Sequence, residues 1–261
     1  MVVDVVGALL LPLFTLLAVT FGLAWWLGLR RLQRATGILL VLSAASILVY
    51  TGAEVMTLRA RVLWHTYMLP VNLALTALLG TVGGIILISR LLPPAFAPMP
   101  RRPVITLGLA AATTLACAVL SWALLGQLGA DASFPFAASL FASYPAWANG
   151  LVASLVTWAV IAAMLNLWRV RHRGAVFQIV LAIAMLASAW MFRWIVFMSV
   201  QSVPKYGAGL YLYSMPLGSD GLLGIVGVFG LCAALIAILT FALSLYPQSP
   251  FRLLGRMQAA N

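Results

Sequence analysis

Apolar residues occur along this chain in long runs, separated by short segments that carry nearly all of the charged residues. A run of about 20 apolar residues spans the hydrocarbon core of a bilayer as a helix. The pattern therefore predicts an all-α protein, an integral membrane bundle of about seven transmembrane helices that form a single domain over residues 1–261. The predicted helices cover about 6–29, 35–57, 64–91, 103–127, 146–168, 175–200 and 220–246.

Composition excludes a soluble domain of ordinary kind. Hydrophobic residues make up 64% of the chain and charged residues 7%, against about 25% charged residues in a typical globular protein. The N-terminal run lacks the basic residues that open a signal peptide, and it is longer than a signal peptide's apolar core. We interpret this run as a retained first helix.

The arginines indicate how the chain is oriented in the membrane. The net charge of +11 is concentrated in alternate loops, which is the topogenic pattern of a membrane protein and not a nucleic-acid-binding surface. By the positive-inside rule we expect the N-terminus outside and the C-terminus in the cytoplasm. The predicted cytoplasmic loops and tail hold Arg30, Arg31, Arg34, Arg90, Arg101, Arg102, Arg169, Arg171, Arg173, Arg252 and Arg256.

The two longest loops lie on the predicted outer face, at about 128–145 and 201–219. Both are rich in aromatic residues, proline and glycine, a composition that suits interfacial packing or a docking surface.

Ionisable residues inside a predicted span are candidates for function, because placing each of them in lipid costs several kcal/mol. Arg193 lies within the sixth predicted helix, near its outer end. The alternative is that Arg193 has only a structural role, in which its side chain extends to the interface or pairs with Glu54 to hold helices together. Glu54 lies near the outer end of the second helix, where it either accepts a proton or forms a wetted ion pair with Arg59 or Arg61.

Other polar residues lie at the same predicted outer leaflet. His65 opens the third helix and can accept a proton or hydrogen-bond a carbonyl, although a single interfacial histidine more often has no catalytic role. The predicted cytoplasmic half offers only its arginines, so we expect no proton path across the whole membrane. The residues that converge on the outer leaflet are Tyr50, Glu54, His65, Arg193, Gln201, Lys205 and Asp220.

The sequence predicts no metal centre within this chain. Cys117 and Cys232 stand alone in apolar runs, so the chain contains no C-x-x-C pair. His65 and His172 lie at opposite predicted faces and cannot ligate the same haem. We therefore expect neither a haem nor an iron–sulfur cluster, and a role in redox chemistry would need a partner subunit with metal centres.

Two stretches resemble the polysulfide reductase membrane subunit family, also called NrfD-like, which includes the DMSO reductase anchor subunit DmsC. The first stretch is VYTGAEVMTLRARVLWHTYMLPVNLALTALLGTVGG, in which a short loop joins two helices and Trp64 opens the second. The other stretch is AWMFRWIVF, a late helix with Arg193 embedded in it. Together they cover about a quarter of the chain.

The resemblance implies a membrane anchor for an iron–sulfur subunit and a molybdopterin catalytic subunit, exchanging electrons with quinone in the bacterial cytoplasmic membrane. His65 or Glu54 would accept a proton, and Arg193 or Lys205 would hold an oxygen of menaquinone or ubiquinone. The positions that match the family are Tyr50, Trp64, His65 and Arg193, whereas Glu54, Gln201 and Lys205 are added because of their location.

Two other hypotheses stay open at this point. A secondary transporter or permease subunit would use broken helices, and Pro12, Pro70 and the Gly83–Gly84 pair are candidate interruptions. The usual signs of that class are an internal repeat and a charged residue at mid-membrane depth, and the chain shows neither. A purely structural anchor without a quinone site is the remaining hypothesis.

Overall fold

The structure is a computed structural model that describes residues 2–58, 61–91, 100–171, 174–201, 216–219 and 221–244. All regular secondary structure in these residues is helical, which confirms the predicted fold class of a helical membrane bundle. The helices are α1 (Val2–Trp26), α2 (Arg30–Met56), α3 (Met68–Leu91), α4 (Arg101–Gln127), α5 (Ser133–Ser143), α6 (Pro145–Val170), α7 (Ala175–Gln201) and α8 (Leu222–Ser244).

Five of the described helices, namely α2, α3, α4, α6 and α7, are long and apolar enough to cross a membrane. Shorter apolar stretches occur at Leu9–Trp25, Ser133–Ser143 and Leu222–Leu235. Seven of the eight described helices overlap the seven predicted runs, whereas α5 lies in the predicted loop 128–145. The total of seven spans and the orientation of the termini stay predictions.

The helix α5 was not predicted for two reasons. Its 11 residues are too few to span a bilayer, so a search for transmembrane runs passes over it. Its sequence also contains Pro135, which normally signals a break. Proline is tolerated here because it lies in the first turn of the helix, where a backbone N–H has no partner within the helix.

The chain forms two compact units. One consists of residues 1–47 and 212–261, and it contains α1, most of α2 and α8. Within this unit Gly37 brings α2 close to α1, because a Cβ atom at Gly37 would lie 3.2 Å from the ring of Phe21. The other unit consists of residues 48–211, and it contains the end of α2 and all of α3 to α7. The candidate site lies in this second unit.

The core of the second unit is formed by α3, α4, α6 and α7. Lipid tails are as apolar as leucine, so helices in a bilayer associate through close packing and polar contacts. Gly83 of α3 allows such an approach, since a Cβ there would lie 3.0 Å from the carbonyl oxygen of Ala182 in α7. Side chains that are completely buried include Leu79, Ile86, Leu115, Ile161, Leu165, Leu181 and Met185.

The end of α2 packs on the beginning of α3. A Cβ atom at Gly52 would lie 2.7 Å from the Cα atom of Pro70, a distance that real side chains do not tolerate. Glycine is therefore required at this contact, which brings the last turns of α2 against the first turn of α3. This contact places the segment of Tyr50 and Glu54 beside the loop that contains His65.

Candidate functional site

The connection between α2 and α3 bridges the C-terminal ends of α2 and α7. The Nδ1 atom of His65 lies 2.7 Å from the carbonyl oxygen of Met56, the last residue of α2. The guanidinium of Arg61 donates from Nη1 to the carbonyl oxygen of Val200, at 2.8 Å, near the end of α7. Carbonyl oxygens in the last turn of a helix accept no hydrogen bond from an N–H of the same helix. The side chains of His65 and Arg61 therefore act as caps.

Trp64 attaches the same connection to the side of α7. Its indole Nε1 donates to the carbonyl oxygen of Val196 at 3.1 Å. Its ring packs against Phe197, with 5.7 Å between ring centroids, and only 7% of the residue is exposed. Trp64 therefore positions the loop that carries His65 and shows little of its own surface.

Arg193 links α7 to α3 inside the bundle. Its Nε donates to the hydroxyl of Thr76 at 2.9 Å, and its Nη2 donates to the carbonyl oxygen of Leu73 at 2.7 Å. Arg193 lies eight residues before the end of α7, a depth of about 12 Å at 1.5 Å per residue. Arg193 forms no ion pair with Glu54 in the residues that the structure describes, and its contacts join α7 to α3 instead.

The charge of Arg193 is not matched by its partners. Both acceptors are neutral, and a guanidinium cannot be deprotonated under ordinary conditions. A guanidinium has five N–H groups, of which these two contacts use two. The remaining three donors of Arg193 have no hydrogen-bond partner in the described part of the chain.

An unsatisfied acceptor lies on the same face of α3. Asn72 precedes Thr76 by one helical turn, so the two side chains share a face. Asn72 is 3% exposed and Thr76 is 1% exposed, yet Oδ1 of Asn72 has no hydrogen-bond partner. Buried polar atoms are nearly always paired, so this amide oxygen, on the face of α3 that holds Thr76, is a candidate contact for a bound polar group.

A second polar network joins the α2–α3 connection to the segment between α4 and α5. The hydroxyl of Thr66 donates to Oδ2 of Asp131 at 2.6 Å, and it accepts from the backbone N–H of Met68, capping α3, at 3.2 Å. The other oxygen of Asp131 accepts from the backbone N–H of Ser133 at 2.7 Å and from the Ser133 hydroxyl. Trp122 completes the network by donating to that hydroxyl at 2.8 Å.

This network holds the Asp131 carboxyl in its ionised form. Partial burial raises the pKa of Asp131, but the hydrogen bonds from Ser133 and Thr66 outweigh burial and lower the pKa below its usual value of 3.8. A carboxylate accepting several hydrogen bonds is stabilised relative to the neutral acid. Asp131 therefore fixes the loop of His65 most firmly when it is charged.

Asp131→Asn is expected to destabilise the protein by about 1 kcal/mol at neutral pH, a hydrogen-bond contribution reduced by the partial exposure of the carboxyl group. Because the folded pKa is depressed, the stabilisation is present above pH 3.8 and is lost as the pH falls through the lower folded value. The difference between variant and wild type should therefore shrink in acid, as measured by thermal unfolding in detergent. Ser133→Ala should share the neutral-pH loss, whereas Ser139→Ala should not, because the Ser139 hydroxyl bonds only to Phe136 within α5.

The remaining predicted site residues lie at the same end of the second unit or outside the described residues. Tyr50 is half-buried in α2, while Glu54 and Gln201 are exposed in the last turns of α2 and α7. Predictions for Arg59, His172, Arg173, Lys205, Asp220, Arg252 and Arg256 concern residues outside those that the structure describes.

Sequence reasoning missed the part of the site that depends on other helices. Thr76 was not among the candidate residues, although its spacing of four from Asn72 places two polar side chains on one face of an apolar helix. Asp131, in the predicted outer loop 128–145, was not among the candidate residues either. The D-x-S pattern of Asp131 and Ser133, in which a side chain accepts a backbone N–H two residues on, was the local signal for its network.

One curated relative is similar to most of this chain. The C subunit of tetrathionate reductase from Salmonella typhimurium is 32% identical over 245 residues, which correspond to 89% of this chain and 67% of the relative. No protein-family model matches the chain, and no solved structure matches it.

Proposed function

Because this chain belongs to the same family as that tetrathionate reductase protein, we propose that it is the membrane anchor and quinone-binding subunit of a molybdopterin iron–sulfur oxidoreductase. The chain is a multi-pass protein of the bacterial cytoplasmic membrane, in agreement with the localisation expected from the sequence. Membership in this family agrees with the NrfD-like resemblance. The closer likeness to DmsC stays a prediction.

The observation that supports quinone binding is the environment of Arg193. The guanidinium keeps three N–H donors without a partner among the described residues. The orphaned Oδ1 of Asn72 supplies an acceptor one turn from Thr76. A quinone carbonyl accepts hydrogen bonds and a quinol hydroxyl donates them, so a donor and an acceptor in an apolar bundle fit both forms of the ligand.

A bound quinone would supply a lipophilic couple that carries two electrons and two protons. Arg193 would donate to one ring oxygen, and its uncompensated charge would stabilise negative charge that develops there. Asn72 would accept from a hydroxyl group. Thr76 and the carbonyl of Leu73 would keep the guanidinium in place, since they already occupy two of its donors.

His65 is the better placed of the two predicted proton acceptors. A carbonyl oxygen can only accept, so the contact with Met56 requires the proton of neutral His65 to be on Nδ1. This contact leaves Nε2 with its lone pair available, and the residue is exposed. Glu54 would be a second acceptor near the same helix end, and we propose that Tyr50, Gln201 and Lys205 contribute polar contacts around the entrance.

The partner subunits would dock at this end of the bundle. The chain groups no three His, Cys, Asp or Glu side chains as metal ligands in the residues described. In this proposal the electron acceptor or donor is in an iron–sulfur subunit beside the α2–α3 connection and α5, with the molybdopterin subunit beyond it. Electron flow in either direction is compatible with these side chains.

The proposal is tested by isolating the complex from membranes in a mild detergent. We expect mass spectrometry to identify an iron–sulfur subunit and a molybdopterin subunit bound to this chain. The complex should exchange electrons with a soluble menaquinol or ubiquinol analogue, and the partner subunits without this chain should not. Isolation of the chain without a cluster-bearing partner, together with substrate uptake by the chain in proteoliposomes, would favour the transporter hypothesis instead.

A further inference from the structure

A cavity of about 400 Å³ lies at the opposite end of the second unit from Arg193. Its walls come from the first turns of α4 and the last turn of α6. The residues that line it are Arg101, Arg102, Ile105, Thr106 and Arg169. Three of the five lining residues are thus arginines, around a base that includes the buried side chain of Ile105.

Arg101 builds the cavity by joining the two helices. Its Nη2 donates to the carbonyl oxygen of Trp168 and lies 3.3 Å from that of Arg169 and 3.2 Å from that of Arg171. These carbonyls belong to the last residues of α6 and its cap, where a positive charge also complements the helix dipole. Arg101 therefore caps α6 through Nη2, and it holds α4 at the end of α6.

Arg102 and Arg169, unlike Arg101, do not cap a helix with their side chains. Their side chains form no hydrogen bond or ion pair within the part of the chain that the structure describes. The first turn of α4 contains no acidic residue, and the four acidic residues of the chain are at positions 4, 54, 131 and 220. The positive charge of the three arginines is consequently not neutralised by the helices that line the cavity.

In a bilayer the cavity would lie at the depth of lipid headgroups. The helix α4 has 27 residues and a length of about 40 Å, which exceeds the hydrocarbon core of about 30 Å. Arg101 and Arg102 are its first two residues and Arg169 is in the last turn of α6, so all three are at helix ends. Thr106 and the apolar residues of the next turn of α4 follow the cavity toward the middle of the helix.

From these observations we propose that the cavity binds the phosphodiester group of an anionic phospholipid. Arg102 and Arg169 donate to the phosphate oxygens, since a guanidinium matches the geometry of a phosphate with two parallel N–H groups. The positive end of the α4 dipole and the charge of Arg101 add to the attraction. Basic cavities between transmembrane helices are a known form of headgroup site, and this one is independent of the quinone proposal.

The test measures lipid binding by the purified, delipidated complex. Mixed micelles that contain phosphatidylglycerol should raise the unfolding temperature and appear as bound lipid in native mass spectra, while phosphatidylcholine micelles should do neither. Arg102→Gln and Arg169→Gln should each weaken phosphatidylglycerol binding by roughly fivefold, the effect of one arginine near an anionic headgroup. Arg31→Gln is the matched control, because Arg31 is an exposed arginine at the start of α2 that does not line this cavity; its binding should equal that of wild type.

Inorganic phosphate without lipid serves as the second arm. Weak binding of phosphate alongside strong binding of phosphatidylglycerol supports the lipid assignment. Equal effects of phosphate and phosphatidylglycerol would assign the cavity to a free anion and overturn it. Equal binding of both lipids, or equal losses in Arg102→Gln and Arg31→Gln, would show that the cavity is not a site for anionic phospholipid.

Discussion

Arg193→Leu is expected to lower quinol-coupled turnover of the assembled complex by roughly 10²-fold, comparable to removing one aligned donor from a site where negative charge develops. The variant loses the cation and the three donors that have no partner among the described residues. Leucine is compatible with the apolar surroundings of α7, so the complex should still assemble. The measurement is turnover per assembled complex, quantified after size-exclusion chromatography.

Two further substitutions separate binding from positioning. Arg193→Lys keeps the charge but loses the planar group that reaches Thr76 and Leu73 together, and we expect intermediate turnover. Thr76→Val removes one support of the guanidinium and should reduce turnover several-fold, with the larger change in the apparent affinity for quinol. Thr81→Val is the control on the same helix, because the exposed Thr81 hydroxyl bonds only to Ala77. Unchanged turnover in Arg193→Leu would remove this residue from the mechanism.

Trp64→Ala is expected to cost about 3 kcal/mol of stability, near the low end for truncating a buried tryptophan, since lipid is as apolar as the core. The variant loses the ring contact with Phe197 and the hydrogen bond to Val196. Trp64→Phe keeps an aromatic ring and loses only the hydrogen bond, so its cost should be about 1 kcal/mol. Chemical unfolding of the purified protein in detergent measures both values.

Trp190→Ala provides the comparison for Trp64. Trp190 is 58% exposed on α7, whereas Trp64 is 7% exposed, so the control should lose much less stability. Trp64→Phe should also retain most of the turnover if Trp64 positions the His65 loop and does not itself contact the quinone. Equal stability losses at the two tryptophans would contradict the structural role assigned to Trp64.

Most of the fold class was predictable because it depends on the local composition of each segment. A run of about 20 apolar residues indicates a membrane helix whatever its neighbours are. The segregation of arginines between alternate loops is equally local in the sequence. In the second unit Arg101 contacts the segment of Arg169 and Arg171, as the alternation of loops predicts. The helix α5 could not be predicted in this way because it is too short to span a membrane.

The site was predictable only in part. Arg193 stood out because a charge inside an apolar run is costly and therefore informative wherever it occurs. Its partners did not stand out, because Thr76 and Leu73 precede it by 117 and 120 residues. Threonine is common in membrane helices, and a backbone carbonyl has no signature in sequence.

The sequence by itself determined that this protein is a helical membrane bundle, that its arginines segregate between alternate loops, and that one guanidinium lies within a span. Only the tertiary structure decided that this guanidinium joins α7 to α3, that Trp64 is buried against α7, and that Asp131 stabilises the loop of His65. The physical reason is that lipid and protein interior are equally apolar. Hydropathy therefore reports that a helix lies in the membrane but carries little information about which face meets which neighbour, and close contacts at glycines together with a few polar groups make that choice.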